Sequence, residues 1–167
     1  MATKDFSSVQ EHMIASYLDW SVVAGSGAAA CYPGDIISDE WLGECKTHVE
    51  RNKPIFFAKT VWGKIKDEAS VKRRFPVLFT DDGSQKSDKT WCLFKANMLD
   101  FKDYKCFPIL PGTRVNISAT HQILADAYQS AKADCTSSGL MPALTVNWSG
   151  ENVAILPLEA FAEMLNN

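Results

Sequence analysis

With 167 residues, 46% of them hydrophobic and 22% charged, and no low-complexity tract, the chain has the size and composition of one globular domain with its own core. No apolar run approaches the roughly 18 residues of a membrane-spanning helix, and the opening Met1-Ala2-Thr3-Lys4-Asp5-Phe6 lacks the cationic and apolar regions of a signal peptide, so a cytoplasmic protein is expected. The net charge of −3 excludes a uniformly basic nucleic-acid binder, but residues 44–74 hold nine of the 17 Lys/Arg and four of the 20 Asp/Glu, which is +5 locally and −8 elsewhere; this suits either a basic face with an acidic back or a solvated helix.

In chain order, residues 7–23 predict a helix, capped by Ser7 or Ser8, with Glu11 in its first turn and Val9, Met13, Ile14, Tyr17 and Leu18 at helical spacing. Gly25-Ser26-Gly27 ends it, and Pro33-Gly34 punctuates the small-residue stretch that follows. Asp35-Ile36-Ile37 reads as a short strand, Ser38-Asp39-Glu40 as a turn, and Trp41 to Val49 as a second strand. Phe56 to Arg74 predicts an amphipathic helix, with Phe57, Val61, Ile65 and Ala69 at four-residue steps. Phe75 to Phe79 and Thr90 to Phe94 pair as strands across a polar hairpin opened by Asp81-Asp82-Gly83-Ser84-Gln85, and Met98 to Tyr104 is a short helix or turn.

The second half echoes this order. A helix from about Ala119 to Cys135 precedes a strand from Met141 to Val146, a turn at 149–152, a strand over 153–156 and a last helix from Leu158 to Leu165. A degenerate duplication and an ordinary alternating α/β chain both fit this pattern. No linker divides the chain, so one domain over 1–167 is expected: an α/β (mixed α+β) sheet flanked by helices, with a core at 7–101 and a C-terminal elaboration or repeat at 102–167. The five cysteines form no Cys-x-x-Cys pair, and Cys31, Cys45 and His48 lack the paired spacing of zinc ligands; reduced, buried thiols are expected.

Chemistry concentrates in Pro33-Gly34-Asp35-Ile36-Ile37 and Glu44-Cys45-Lys46. Strand alternation projects Glu44 and Lys46 to one face and Cys45 to the other. A hairpin returning from Asp35 brings a second carboxylate beside Glu44. Mg²⁺ is a hard ion commonly held by one or two carboxylates, water and substrate phosphate, so Asp35 and Glu44, with the Cys45 backbone carbonyl as a third oxygen, form a candidate site for Mg²⁺ or Mn²⁺. Lys46 would orient the attacking water or offset charge on the phosphorane. The plainer alternative is an edge strand with Glu and Lys on its wet face.

Asp35, then Glu44-Cys45-Lys46, with Glu11 in the first helix, Gly25-Ser26-Gly27 after it and the run Gly-Glu-Cys-Lys-Thr, resembles the PD-(D/E)XK nuclease superfamily and, within it, the archaeal-type Holliday junction resolvases. The resemblance covers residues 9–80. It implies a restriction-endonuclease-like sheet with an active site at one edge, a homodimer, and metal-dependent cleavage of branched or otherwise structured DNA in recombination and repair. A prokaryotic or viral origin fits it. It carries over Asp35, Glu44 and Lys46 as catalytic, Glu11 as an auxiliary metal or water ligand, and Ser26 as a contact to the scissile phosphate; a dipole-complementing acid and a turn residue are the plainer readings of the last two. Lys59, Lys64, Lys66, Lys72, Arg73 and Arg74 are the candidate DNA contacts. A restriction-like or nicking duplex nuclease, and a nuclease-fold protein that binds DNA or a partner without cutting, are the alternatives.

Overall fold

The computed structural model describes residues 3–24, 34–110 and 115–167. The first half contains helix α1 (Thr3–Leu18), strands β1 (Ser21–Val22), β2 (Ile36–Ile37), β3 (Trp41–Lys46) and β4 (Ile55–Ala58), helix α2 (Lys59–Val71), and strands β5 (Phe75–Thr80) and β6 (Trp91–Lys95). The second contains β7 (Tyr104–Leu110), β8 (Asn116–Ala119), α3 (His121–Cys135), β9 (Met141–Trp148), β10 (Glu151–Pro157) and α4 (Leu158–Leu165). One eight-stranded sheet runs in the order β1-β2-β3-β5-β6-β10-β9-β7, and β4 pairs with β8 in a second, two-stranded sheet. Among the described strand pairs only β3–β5 and β7–β9 are parallel, so the protein is a mixed α+β structure with a mostly antiparallel sheet flanked by helices. Among the described residues no helix is long and apolar enough to cross a membrane.

Several boundaries differ from the sequence expectation. The first helix stops at Leu18, not 23: Asp19 takes a left-handed φ of 57°, and the Trp20 N–H closes back on the Ala15 carbonyl at 2.8 Å. Ser21 and Val22 then pair with Ile37 and Ile36. The motif strand ends at Lys46, opposite the last residue of β5, so His48 lies in a loop and its Nε2 donates to the Pro54 carbonyl at 3.0 Å. The helix expected from Phe56 begins at Lys59, because the aromatic and β-branched run Ile55-Phe56-Phe57 alternates buried and exposed as a strand against β8. The helix or turn expected at 98–104 is a 3₁₀ turn over Ala96–Met98, and Tyr104 opens strand β7. The turn between β9 and β10 is only Ser149-Gly150, both at positive φ, as a two-residue hairpin requires.

Alternation along the strands sends apolar side chains into two layers. On one face Ile14 of α1 and Phe161 of α4 pack with Trp41, Phe79, Phe94 and Leu156, and Phe161 meets Trp41 and Phe79 edge-on at 5.3 and 5.8 Å. On the other, Trp62 and Ile65 of α2 and Leu124 of α3 cover Leu42, Leu78, Leu93 and Ile155. Gly43 lies where β3 crosses Phe79: a Cβ there would stand 2.7 Å from its ring.

The strand order repeats itself about the β6–β10 pair. β3, β4, α2, β5 and β6 follow one another as β7, β8, α3, β9 and β10 do, with the same parallel and antiparallel senses, and β4 and β8 pair with each other. Laying the pair Trp41↔Phe75 on Tyr104↔Met141 puts Pro76 on Pro142 and Leu78 on Leu144. Both leucines, and both aromatic residues that open the outer strands, face matching core layers.

Candidate active site

The site is assembled at the sheet margin formed by β1, β2 and β3. Gly34 enters with φ +71°, its N–H donating to Glu68 Oε2 at 3.0 Å, and a Cβ there would stand 2.6 Å from Leu42 Cδ1. The following N–H, of Asp35, donates to the Gly43 carbonyl at 2.8 Å, which sets the register Ile36↔Gly43. The turn is closed by Ser38: its N–H donates to the Trp41 carbonyl and its hydroxyl accepts from the Trp41 N–H, each at 3.0 Å.

This register brings the predicted residues together. The Cys45 N–H donates to Asp35 Oδ2 at 2.8 Å, fixing that carboxylate against the strand that carries Glu44. Glu44 is buried, and its Oε1 lies 3.2 Å from Lys46 Nζ, whose side chain is half exposed. The Gly43 carbonyl faces β2, so backbone alternation turns the Cys45 carbonyl the same way, beyond the end of that two-residue strand. Glu11 approaches from α1. Burial, then the charges of Asp35 and Glu44, push its pKa up to about 7, against the lowering pull of His12 and Lys46. Burial and Asp35 likewise raise Glu44, opposed by Lys46 and Lys64. Burial holds the Cys45 thiol well above its ordinary pKa, which keeps it protonated and inert.

Asp35, Glu44 and Glu11 repel one another in a partly desolvated place, offset by Lys46 and by Lys64, which Glu68 also engages; a divalent cation would relieve that repulsion. Among the described residues no three His, Cys, Asp or Glu side chains converge as a ready ligand set. Asp35 and Glu44 offer carboxylate oxygens, and Glu11 is coupled to both electrostatically. That set fits Mg²⁺ or Mn²⁺, which keep water and substrate oxygens, better than a fully caged metal.

A second polar cluster backs the strand end. Asp81, fully buried, accepts from the Thr47 hydroxyl and from the Gly83 and Gln85 N–H groups, the latter two at 3.0 Å. Gln85 Nε2 donates to Thr47 Oγ1 at 2.9 Å and to the Gly83 carbonyl at 2.7 Å. Gly83 has φ +95°, and any Cβ would collide with the Glu50 carbonyl. The Asp-Gly signal at 81–85 predicts a polar hairpin and carries no hint of this burial. Gln10 is likewise buried, and it donates from Nε2 to the Lys46 carbonyl at 2.6 Å. The readable signal was a polar residue one helical turn before Ile14, while Val9, assigned to the apolar stripe, is half exposed.

The candidate DNA contacts do not form one surface. Lys64 is close enough to Glu44 to lower its pKa, while Lys72, Arg73 and Arg74 lie just before the start of β5, and Arg74 Nε donates to the Ser38 carbonyl at 2.8 Å. Lys59 Nζ donates to Ser149 Oγ at 2.7 Å, Lys64 pairs with Glu68 at 3.7 Å, and Lys66 is bound to Glu151 at 2.6 Å. Ser26, with residues 25–33, lies outside the described residues. No protein-family model matches the chain, and no curated protein or solved structure matches it.

Proposed function

We propose that the protein is a metal-dependent DNA endonuclease of the PD-(D/E)XK type, with a restriction-endonuclease-like core, acting on branched or otherwise structured DNA. The observation that carries this reading is the junction of Asp35, Glu44 and Lys46 at one sheet margin, with Asp35 bonded to the Cys45 N–H and Lys46 3.2 Å from Glu44. Asp35, Glu44 and the Cys45 carbonyl would hold the ion. When bound, Mg²⁺ or Mn²⁺ supplies Lewis-acid polarisation of the scissile phosphate and makes water a stronger acid. Lys46 extends from the strand end with its ammonium half in solvent, where it can hydrogen-bond the attacking water and offset charge on the phosphate oxygens. Glu11, with its pKa near 7, exchanges a proton at neutral pH and suits the role of base toward that water. Lys64, whose charge acts on Glu44, is the candidate phosphate contact nearest this centre.

Among the described residues one such centre forms, and Phe107 stands in the second half where Glu44 stands in the first. A monomer would therefore nick, and paired cuts across a junction would require a homodimer. That observation keeps the nicking duplex nuclease as a second reading, and cleavage mapping on junction, flap, duplex and single-stranded DNAs, with and without EDTA, separates the two. Symmetric paired cuts near a branch point support a resolvase; single nicks in plain duplex support the alternative. If Lys46→Ala cuts as fast as the wild type, the active-site assignment falls.

A further inference from the structure

We propose that Gln10 is a positioning residue that holds the backbone of the catalytic strand end; the inference rests on the nuclease reading above. In the buried stripe of α1, beside Ile14 and Ala15, Gln10 occupies a core position and is 0% exposed. Its Nε2 reaches the Lys46 carbonyl, 36 residues away, at 2.6 Å. This acceptor decides which end of the amide is which, since the reverse orientation would press two oxygens together. The Oε1 atom is then buried with no protein partner. A methionine would fill the same space without an orphaned acceptor, so the amide is costly as packing alone.

That cost falls at a core position bonded to the catalytic lysine's own backbone, one residue before Glu11. Holding the Lys46 carbonyl fixes the peptide plane beyond the last ladder pair, and with it the angle at which the Lys46 side chain leaves the strand. From the other side, Asp81 and Gln85 hold the Thr47 hydroxyl. Lys46 is thus clamped between two buried side-chain anchors, and the Cys45 carbonyl one peptide earlier is steadied with it.

Two variants separate positioning from packing. Gln10→Met keeps the volume and removes both polar ends. Gln10→Glu keeps the shape but sets an oxygen against the Lys46 carbonyl unless it is protonated. Wild type and variants are compared for steady-state cleavage of a four-way junction, for Mn²⁺ affinity by calorimetry, and for metal-free Tm. For Gln10→Met the expected result is a loss of about 10–100-fold in kcat with KM for DNA unchanged, about tenfold weaker Mn²⁺ binding and an unchanged Tm. Gln10→Glu should retain activity at the acid end of the pH range and lose it, relative to wild type, as pH rises; it also serves if Gln10→Met does not fold. Equal kcat and Mn²⁺ affinity in Gln10→Met and wild type overturns the inference and leaves the nuclease reading standing. A wild type that neither cuts DNA nor binds Mn²⁺ overturns both. If the wild type binds Mn²⁺ without cutting, weaker binding by Gln10→Met upholds the clamp and equal binding ends it.

Discussion

Strands β3, β5 and β6 and strands β7, β9 and β10 are joined in the same order, paired in the same senses and covered by corresponding helices, yet among the described residues the candidate site lies in the first set alone. Where Glu44 sits opposite Leu78, Phe107 sits opposite Leu144, and Lys105 lies over the Phe107 ring at 5.4 Å. The first set also has an outer neighbour: β2 lies beyond β3 and delivers Asp35, and α1 adds Glu11 and Gln10. In the second set β7 is the last strand of the sheet, blunted as edge strands commonly are by Lys105, Pro108 and a register shift between Pro108 and Leu110. The repeated scaffold supplies a parallel pair in both halves; in the first it carries Glu44 and Lys46, and Asp35, Glu11 and Gln10 are added from outside the pair.

The sharpest way to break this comparison is to mutate matching positions. Lys46→Ala or Glu44→Gln should lower kcat by about 100- to 1,000-fold. Phe107→Ala should leave kcat per folded molecule unchanged and cost about 2 kcal/mol of stability, since that ring is only partly buried against its core layer. Equal losses of activity in the two halves, measured by single-turnover cleavage, would contradict the division. Glu44→Gln should also raise the metal-free Tm, because it removes a buried carboxylate that burial and Asp35 both disfavour as an ion.

Next in size is the polar cluster behind the site. Asp81→Ala strands the Thr47 hydroxyl and two backbone N–H groups, and should cost about 2–3 kcal/mol in denaturant unfolding. The second half turns between β9 and β10 in two residues without such a cluster, so Gly150→Ala should cost less than Gly83→Ala: at Gly150 the strain is backbone only, with no atom within 4 Å of the added Cβ.

A pH series sharpens the comparison further. Glu11 has a folded pKa of about 7 against an ordinary value of 4.5, so the folded state holds the proton more tightly than the unfolded one. Its contribution to metal-free stability is therefore fully present below about 4.5 and is lost as pH rises through about 7. Glu11→Gln should flatten that fall in a Tm-versus-pH series, and Mg²⁺ should reduce it in the wild type. The smallest effect concerns DNA contacts: Lys64→Ala should lower the salt slope of DNA binding by about 1, whereas Arg74→Ala, tied to the Ser38 carbonyl at the far end of the strands, should leave it unchanged.

Much of the scaffold was legible in the residues. The Pro-Gly before Asp35, the Ser38 turn and the alternation around Glu44 announce a hairpin, and the described structure forms that hairpin, with Asp35 bonded to the Cys45 N–H and Lys46 beside Glu44. The short elements were less so. Ile55-Phe56-Phe57 joins strand and helix signals in one run, and β4 is a strand because β8, about 60 residues later, supplies its partner. Gln10 and Asp81 look like solvent-facing polar residues until the partners that bury them are in place.

The amino-acid sequence by itself determined the local pieces: which segments alternate, where Gly34 and Gly83 permit the chain to bend, and which side chains share a strand face. These follow from sterics and periodicity within a few residues. The tertiary structure alone decided that β6 and β10 join two similar units into one sheet, that one unit receives Asp35, Glu11 and Gln10 while the other receives Phe107, and that Lys72, Arg73 and Arg74 lie away from the centre. Those outcomes depend on pairings between residues far apart in the chain, and burial and electrostatic coupling take their values only once such pairs have met.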